Sequence, residues 1–382
     1  MKDFVKALYV DLIHRIDVVV LDITKSIHHP DIKDRFISDT LKQFSDIRLV
    51  MQNALDSGIL EFETANGNNI TLYNQVLREF NAIHSYRYLA IKNYRDPEVF
   101  FFRLIKRIYD EHRINATPPI VSTISNHDTY YWAEPYFEII ALPAGEESSL
   151  LNLPDMYHEI GHLLHSMFQG KSCELSTEII RKHFIKEMVR IEDDGLGAHY
   201  LELLKEAQDY WMTAWIEEFT CDLVGTYMTG AAYAWTNLKL LSTAHGSGRI
   251  FEYFDSHPAN EARMTIVLMM MEKLGLTAEK KKVEAAWKVF LKDTDGFKPK
   301  EYTMLFPKKL LQQLVDEFYE FYQNADLASY PEVLAKAGSV SEILNIAWDK
   351  AQADPMAYNQ HETAVFEQLK KDFKLPEEKT KG

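Results

Sequence analysis

The chain has 382 residues, of which 46% are hydrophobic, 12% aromatic and 26% charged, the profile of a folded globular protein long enough to bury its own core. Acidic side chains outnumber basic ones 57 to 42, a net charge of −15 whose field repels phosphate and argues against a nucleic-acid or anionic-membrane surface. Two cysteines cannot build a disulfide framework; they point to a thiol-tolerant, cytoplasmic setting and leave a single Cys173–Cys221 bridge open.

The N-terminal stretch MKDFVKALYVDLIHRIDVVVLDITK interrupts its apolar residues with Asp3, Asp11, His14, Arg15 and Asp17. It therefore reads as neither a signal peptide nor an anchor. No other run approaches the roughly 18 apolar residues of a membrane span. Up to residue 115, charged and apolar positions alternate at helical spacing, as in Phe80, Ile83, His84, Arg87 and Tyr88 and again in Phe101, Leu104, Ile105 and Ile108. The β-branched run from Ile16 to Leu21 has strand character inside helical flanks, and Asn66-Gly67-Asn68-Asn69 reads as a turn. Asn69-Ile-Thr71 and Asn115-Ala-Thr117 match the glycosylation pattern, which without a secretory signal is a chance match.

The texture changes at Thr117-Pro118-Pro119. Residues 120–143 are rich in β-branched and aromatic side chains, and residues 136–142 are the expected strand, ended by Pro143-Ala144-Gly145. From Pro154 the pattern is helical again, with residues 262–274 apolar nearly all round, as in a buried helix. Met269-Met270-Met271 is core filler there. Amphipathic helices follow Gly275, punctuated at Asp295-Gly296 and Tyr330-Pro331, with Lys280-Lys281-Lys282 on a solvated face and 376–382 as a tail. The expected fold is mainly α with a small β-sheet (α+β). It falls into a helical region 1–115, a central domain 116–275 and a helical region 276–382.

Chemistry concentrates in the central part. His158-Glu159-Ile160-Gly161-His162 places two imidazoles at i and i+4, one above the other on a helix, where both can grip one ion. Glu159 is rotated about 100° from His158, so it can reach a water beside the ion without binding the ion itself. Zinc held by nitrogen ligands with one position open makes such a water acidic. A third ligand is needed. His165 sits too far along the helix, while Glu218 and Asp222 form an i, i+4 pair on a second helix whose aromatic face is Trp211, Trp215, Phe219, Leu223 and Tyr227. Glu218 is read as the ligand and Asp222 as the acceptor that orients a ligating histidine; Glu217 is the rival for the ligand role. Gly225 on that helix would let a second helix approach closely.

His158-Glu159-x-x-His162 followed by Glu218-x-x-x-Asp222 resembles the gluzincin group of zinc metallopeptidases. Ser256-His257-Pro258-x-x-x-x-Arg263 is similar to the His-Pro…Arg element of HtpX-type and CAAX-prenyl-protease-type members. The stretch from His158 to His165 also resembles ImmA/IrrE-type regulatory peptidases. The resemblance covers about residues 136–275. It implies a zincin-like catalytic core in which His158, His162 and Glu218 hold one Zn2+ and Glu159 is the general base. It further implies that His257 or a tyrosine donates a hydrogen bond to the oxyanion, and Arg263 is available to pair with an acid near the site.

The expected function is a zinc-dependent peptidase acting on peptide or protein substrates, with no nucleic-acid or membrane partner. A free strand edge upstream of the motif offers a place for an extended peptide. Two alternatives stay open: a zinc-bearing regulator specific for one partner or without turnover, and a hydrolase of non-peptide esters or amides. His127, His199 and His245 carry no assigned role.

Overall fold

A computed structural model describes residues 2–61, 66–126, 129–146, 149–168, 172–242, 250–293 and 298–374. Three-quarters of the protein is helical, with one small sheet, as the composition of apolar periodicities requires. The N-terminal part is built from α1 (Lys2–Lys25), α2 (Ser38–Asp56), α3 (Asn66–Ala82) and α4 (Asp96–Glu111). The β-branched run in α1 stays helical because Ile16, Val19 and Ile23 face one core at spacings of three and four, while Val18 and Leu21 face solvent. Periodicity outweighs β-propensity there. The expected turn at Asn66-Gly67-Asn68-Asn69 is instead the first turn of α3; residues 62–65 lie outside the described residues.

These helices enclose a core that includes Tyr9, Leu12, Phe44, Ile47, Met51, Phe80 and Ile83. One cation is buried in it. Arg87, on a π-helical turn at Ile83–Tyr88, donates to the Thr40 hydroxyl at 2.9 Å and to the carbonyls of Phe36 and Phe137 at 3.1 Å. Its guanidinium lies 4.0 Å from the centre of the Phe36 ring. Phe36 belongs to a second π-helical turn, Lys33–Ile37, where backbone carbonyls drop out of the regular ladder and can accept from a side chain. The Phe137 contact fastens this half of the protein to the sheet.

The sheet has three strands, β1 (Ile120–Ser125), β2 (Trp132–Glu134) and β3 (Ile139–Pro143), in the order β1-β3-β2. β1 is parallel to β3, and β2 is antiparallel to it. The expected strand at 136–142 begins late, because Pro135–Phe137 forms a 3-10 turn and Glu138 adopts a left-handed φ of 52°. It is also not an edge: β3 is paired on both sides and all five of its residues are buried. The sheet edge beside the motif helix belongs to the half-buried β2. Along β3 the pleat sends Ile139 into the N-terminal core and Ile140 and Leu142 into a second, larger core.

The second core runs from Phe100 to Leu369. It gathers α5 (Asp155–Phe168), α6 (Ser172–Asp193), α7 (Ala198–Tyr210), α8 (Ile216–Thr229), α9 (Ala231–Leu241) and α10 (Asn260–Lys273). The chain then continues through α11 (Thr277–Asp293), α12 (Lys308–Asn324), α13 (Val340–Ala353) and α14 (Tyr358–Asp372). Leu310, Leu314 and Phe318 of α12, Leu344 of α13 and Phe366 of α14 join the same core. Asp295-Gly296 and residues 376–382 lie outside the described residues. His112, at the end of α4, is buried between the Ala328 carbonyl at 2.7 Å and the Ser341 hydroxyl at 3.1 Å, so burial pushes its pKa down to about 4. Among the described residues no helix is long and apolar enough to cross a membrane.

Candidate metal centre

α5 and α8 cross where Gly161 of α5 meets Cys221 of α8. A β-carbon on Gly161 would lie 2.7 Å from the Cys221 Cα, so only glycine permits the crossing. On α5 the apolar residues Met156, Ile160 and Leu164 are buried, Leu163 is half-buried and Met167 is exposed. On α8 and the π-helical turn Trp211–Trp215 before it, Trp211, Trp215, Phe219, Leu223 and Tyr227 are all buried. With those faces committed to the core, His158 and His162 turn toward α8 and Glu218 turns toward them.

The Glu218 carboxylate lies 3.4 Å from His158 Nε2 and 3.8 Å from His162 Nε2. A tetrahedral site with nitrogen and oxygen at 2.0–2.1 Å has edges of about 3.3–3.4 Å, so each histidine-to-carboxylate distance lies within about half an ångström of such an edge. Glu218 Oε2 and Glu159 Oε2 are both buried with no hydrogen-bond donor, the kind of orphaned acceptor that a cation satisfies. The residues present fit zinc. Cys221 offers another donor: its Sγ and one ring nitrogen from each histidine lie within 4.8 Å of one another. Glu218 and Cys221 are therefore both candidates for the third ligand, with the Cys221 backbone pinned at the helix crossing. Cys221 is a free, buried thiol; the side chain of Cys173, its expected bridge partner, lies outside the described residues.

Each histidine is held from behind by its own carboxylate. Asp222 Oδ1 lies 3.2 Å from His158 Nδ1, and Glu217 Oε1 lies 2.8 Å from His162 Nδ1. Both Nε2 atoms are thereby directed at Glu218. Glu217, the sequence-level rival for the ligand role, is the orienting partner of His162; its i−1 position relative to Glu218 puts it on the adjacent helix face. Asp222 is completely buried and accepts from Arg263 twice, Nε to Oδ2 at 2.8 Å and Nη2 to Oδ1 at 2.7 Å. Tyr233 was not singled out by the sequence: its hydroxyl is 2.5 Å from Asp222 Oδ1 and 3.0 Å from His158 Nδ1. Gly225, expected to admit a neighbouring helix, makes room for this ring, since a β-carbon there would meet Tyr233 Cδ2 at 2.8 Å.

The electrostatics follow from this packing. Burial alone would depress His158, but the Asp222 and Glu218 carboxylates outweigh it and hold its pKa up at about 10. Burial would raise Asp222, yet the Arg263 charge and hydrogen bonds bring it down to about 2. Glu218 is likewise drawn below the usual carboxylate range by His158, Arg263 and His257 against its burial. Glu159 is the exception: burial dominates and raises it.

His257 reaches the site from the loop before α10, with Nε2 3.7 Å from Glu218 Oε1 and its side chain 47% exposed. The loop is anchored by Trp215, whose Nε1 donates to the Asp255 carbonyl at 2.9 Å, and by Tyr210, which donates to the Phe254 carbonyl at 3.2 Å. Phe254 stacks on Trp215 while holding a φ of 68°. His158, Glu159, His162, Glu218, Asp222, His257 and Arg263 are thus brought together. His165 is buried one turn further along, beside Glu217, and His199 is exposed; His127 and His245 lie outside the described residues. Comparison with protein-family models, curated proteins and solved structures finds no match to this chain.

Proposed function

We propose that this protein is a zinc-dependent peptidase of the gluzincin type, with His158, His162 and Glu218 as the ligands of one Zn2+. The observation that carries this reading is the convergence of the Glu218 carboxylate on both Nε2 atoms, at 3.4 and 3.8 Å, while Nδ1 of each ring is engaged by a different carboxylate. Zinc with an open position supplies Lewis acidity and a water that loses a proton near neutral pH.

The chain's own groups do the rest. Glu159 is one residue from His158, and its buried, unpartnered Oε2 takes the proton from the attacking water and delivers it to the amide nitrogen as the C–N bond breaks. Its upward-shifted pKa suits a group that must both accept and release a proton. In this reading half-exposed His257, whose Nε2 lies 3.7 Å from Glu218 Oε1, donates to the tetrahedral oxyanion. The edge of β2, whose Trp132–Glu134 backbone pairs only with β3 among the described strands, offers an extended peptide a pairing surface beside α5.

The test is to measure zinc content and peptide cleavage for the wild type and Glu159→Gln together. Equal zinc and turnover reduced about 10²–10⁴-fold is expected. Retained turnover in the variant, or a wild type that takes up no zinc, overturns the reading.

A further inference from the structure

We infer that Tyr233 is a positioning residue of the metal centre, the group that fixes which ring nitrogen of His158 faces the ion. The inference rests on the peptidase reading for the identity of the ligands and adds to it the device that sets one of them.

Hydrogen-bond bookkeeping carries the argument. The Tyr233 hydroxyl and Asp222 Oδ1 are 2.5 Å apart. Two oxygens approach that closely only with a proton between them, and the Asp222 carboxylate, already accepting twice from Arg263, is the acceptor. The Tyr233 proton is therefore committed. Toward His158 the Tyr233 oxygen can only accept, and its partner at 3.0 Å is Nδ1. Asp222 Oδ1, 3.2 Å from the same nitrogen, can also only accept. Nδ1 must then carry a hydrogen, which leaves Nε2, on the side of Glu218, as the nitrogen for a metal. Asp222 alone favours that tautomer; Tyr233 adds a second acceptor and removes the freedom of the Asp222 oxygen.

The fold makes room for this group specifically. Tyr233 is buried near the start of α9, after the chain reverses at Gly230 with a φ of 62°. Its ring lies against Gly225, where a β-carbon would fall 2.8–2.9 Å from three ring atoms. The ring planes of Tyr233 and His158 are 11° from parallel with centroids 6.2 Å apart, and the hydroxyl reaches Nδ1 at 3.0 Å. An apolar side chain would fill the space; only a phenol also meets both Asp222 and His158.

The test uses the full chain and zinc alone. Zinc affinity is measured by chelator competition for the wild type, Tyr233→Phe and Tyr227→Phe. The last removes another buried hydroxyl, one that donates to the Leu327 carbonyl at 3.0 Å and touches no ligand. Expected is a roughly 10–100-fold loss for Tyr233→Phe and none for Tyr227→Phe. Independently of any variant, ¹⁵N–¹H spectra of the zinc-loaded wild type are expected to show the His158 ring proton on Nδ1. Unchanged affinity in Tyr233→Phe, an equal loss in Tyr227→Phe, or a His158 proton on Nε2 overturns the inference while leaving the peptidase reading standing. A wild type without zinc removes both.

Discussion

The Cα of Cys221 stands 2.7 Å from the point a β-carbon on Gly161 would occupy, so the two helices that carry the candidate ligands touch backbone to side-chain position with nothing between them. Because the obstructing atom belongs to the main chain, no rotamer change relieves it. Gly161→Ala is expected to separate α5 and α8, cost about 1–3 kcal/mol in urea unfolding, and lower zinc affinity. Adding Cys221→Ala is not expected to restore either, since the Cα remains. Recovery by the double variant would show that the sulfur, not the backbone, sets the crossing.

The choice between Glu218 and Cys221 as third ligand is open to direct measurement. Glu218→Ala should weaken zinc binding by more than the roughly 10–100-fold that loss of an outer partner costs. Cys221→Ser should leave it unchanged, and the zinc-loaded wild type should lack a thiolate-to-metal absorption band when cobalt replaces zinc. A strong band of that kind would transfer the ligand role to the thiol.

Glu217 gives a graded version of the same experiment. Its side chain is 39% exposed, against 0% for Asp222, so its hold on His162 competes with water. Glu217→Ala should reduce zinc affinity about tenfold, the lower end of the range for outer partners. An effect as large as that of Glu218→Ala would make Glu217 a ligand after all.

His112 yields a stability prediction away from the centre. Its pKa is near 4 when folded and about 6.5 when unfolded. Between those values the unfolded chain binds the extra proton, so the stability contributed by this group is complete above about pH 6.5 and drains away as pH falls toward 4. The difference of about 2.5 units corresponds to about 3 kcal/mol. Urea unfolding at pH 7.5 and 4.5 should therefore show a smaller acid loss in His112→Gln than in the wild type, by about 2–3 kcal/mol. Parallel losses would mean that His112 is protonated in the native protein.

How much of this was legible in the letters depends on range. The pairs His158/His162 and Glu218/Asp222 are readable because four residues on a helix return to nearly the same face, whatever surrounds them. The apolar stripes of α5 and α8 follow from the same geometry. Tyr233 and Glu217 are not readable this way. Tyr233 enters the site only because the chain doubles back at Gly230, and the sole local trace is the small residue at 225 that leaves a hollow for its ring. Glu217 needs the crossing angle of two helices. The strand at 139–143 was visible in its β-branched residues, but its central place was not. Pairing with β1 and β2 is a long-range choice, and a three-residue strand such as Trp132–Glu134 carries almost no periodicity of its own.

β3 has one practical consequence. Ile139 is rooted in one interior and Ile140 and Leu142 in the other, so the strand acts as a party wall between two houses. A fragment starting near residue 116 would keep every candidate ligand yet lay bare Ile120, Phe137 and Ile139, all buried in the intact protein. Trimming the protein to its candidate metal centre would thus yield a sticky, poorly behaved product, and work on the centre is best done with the leading helices in place.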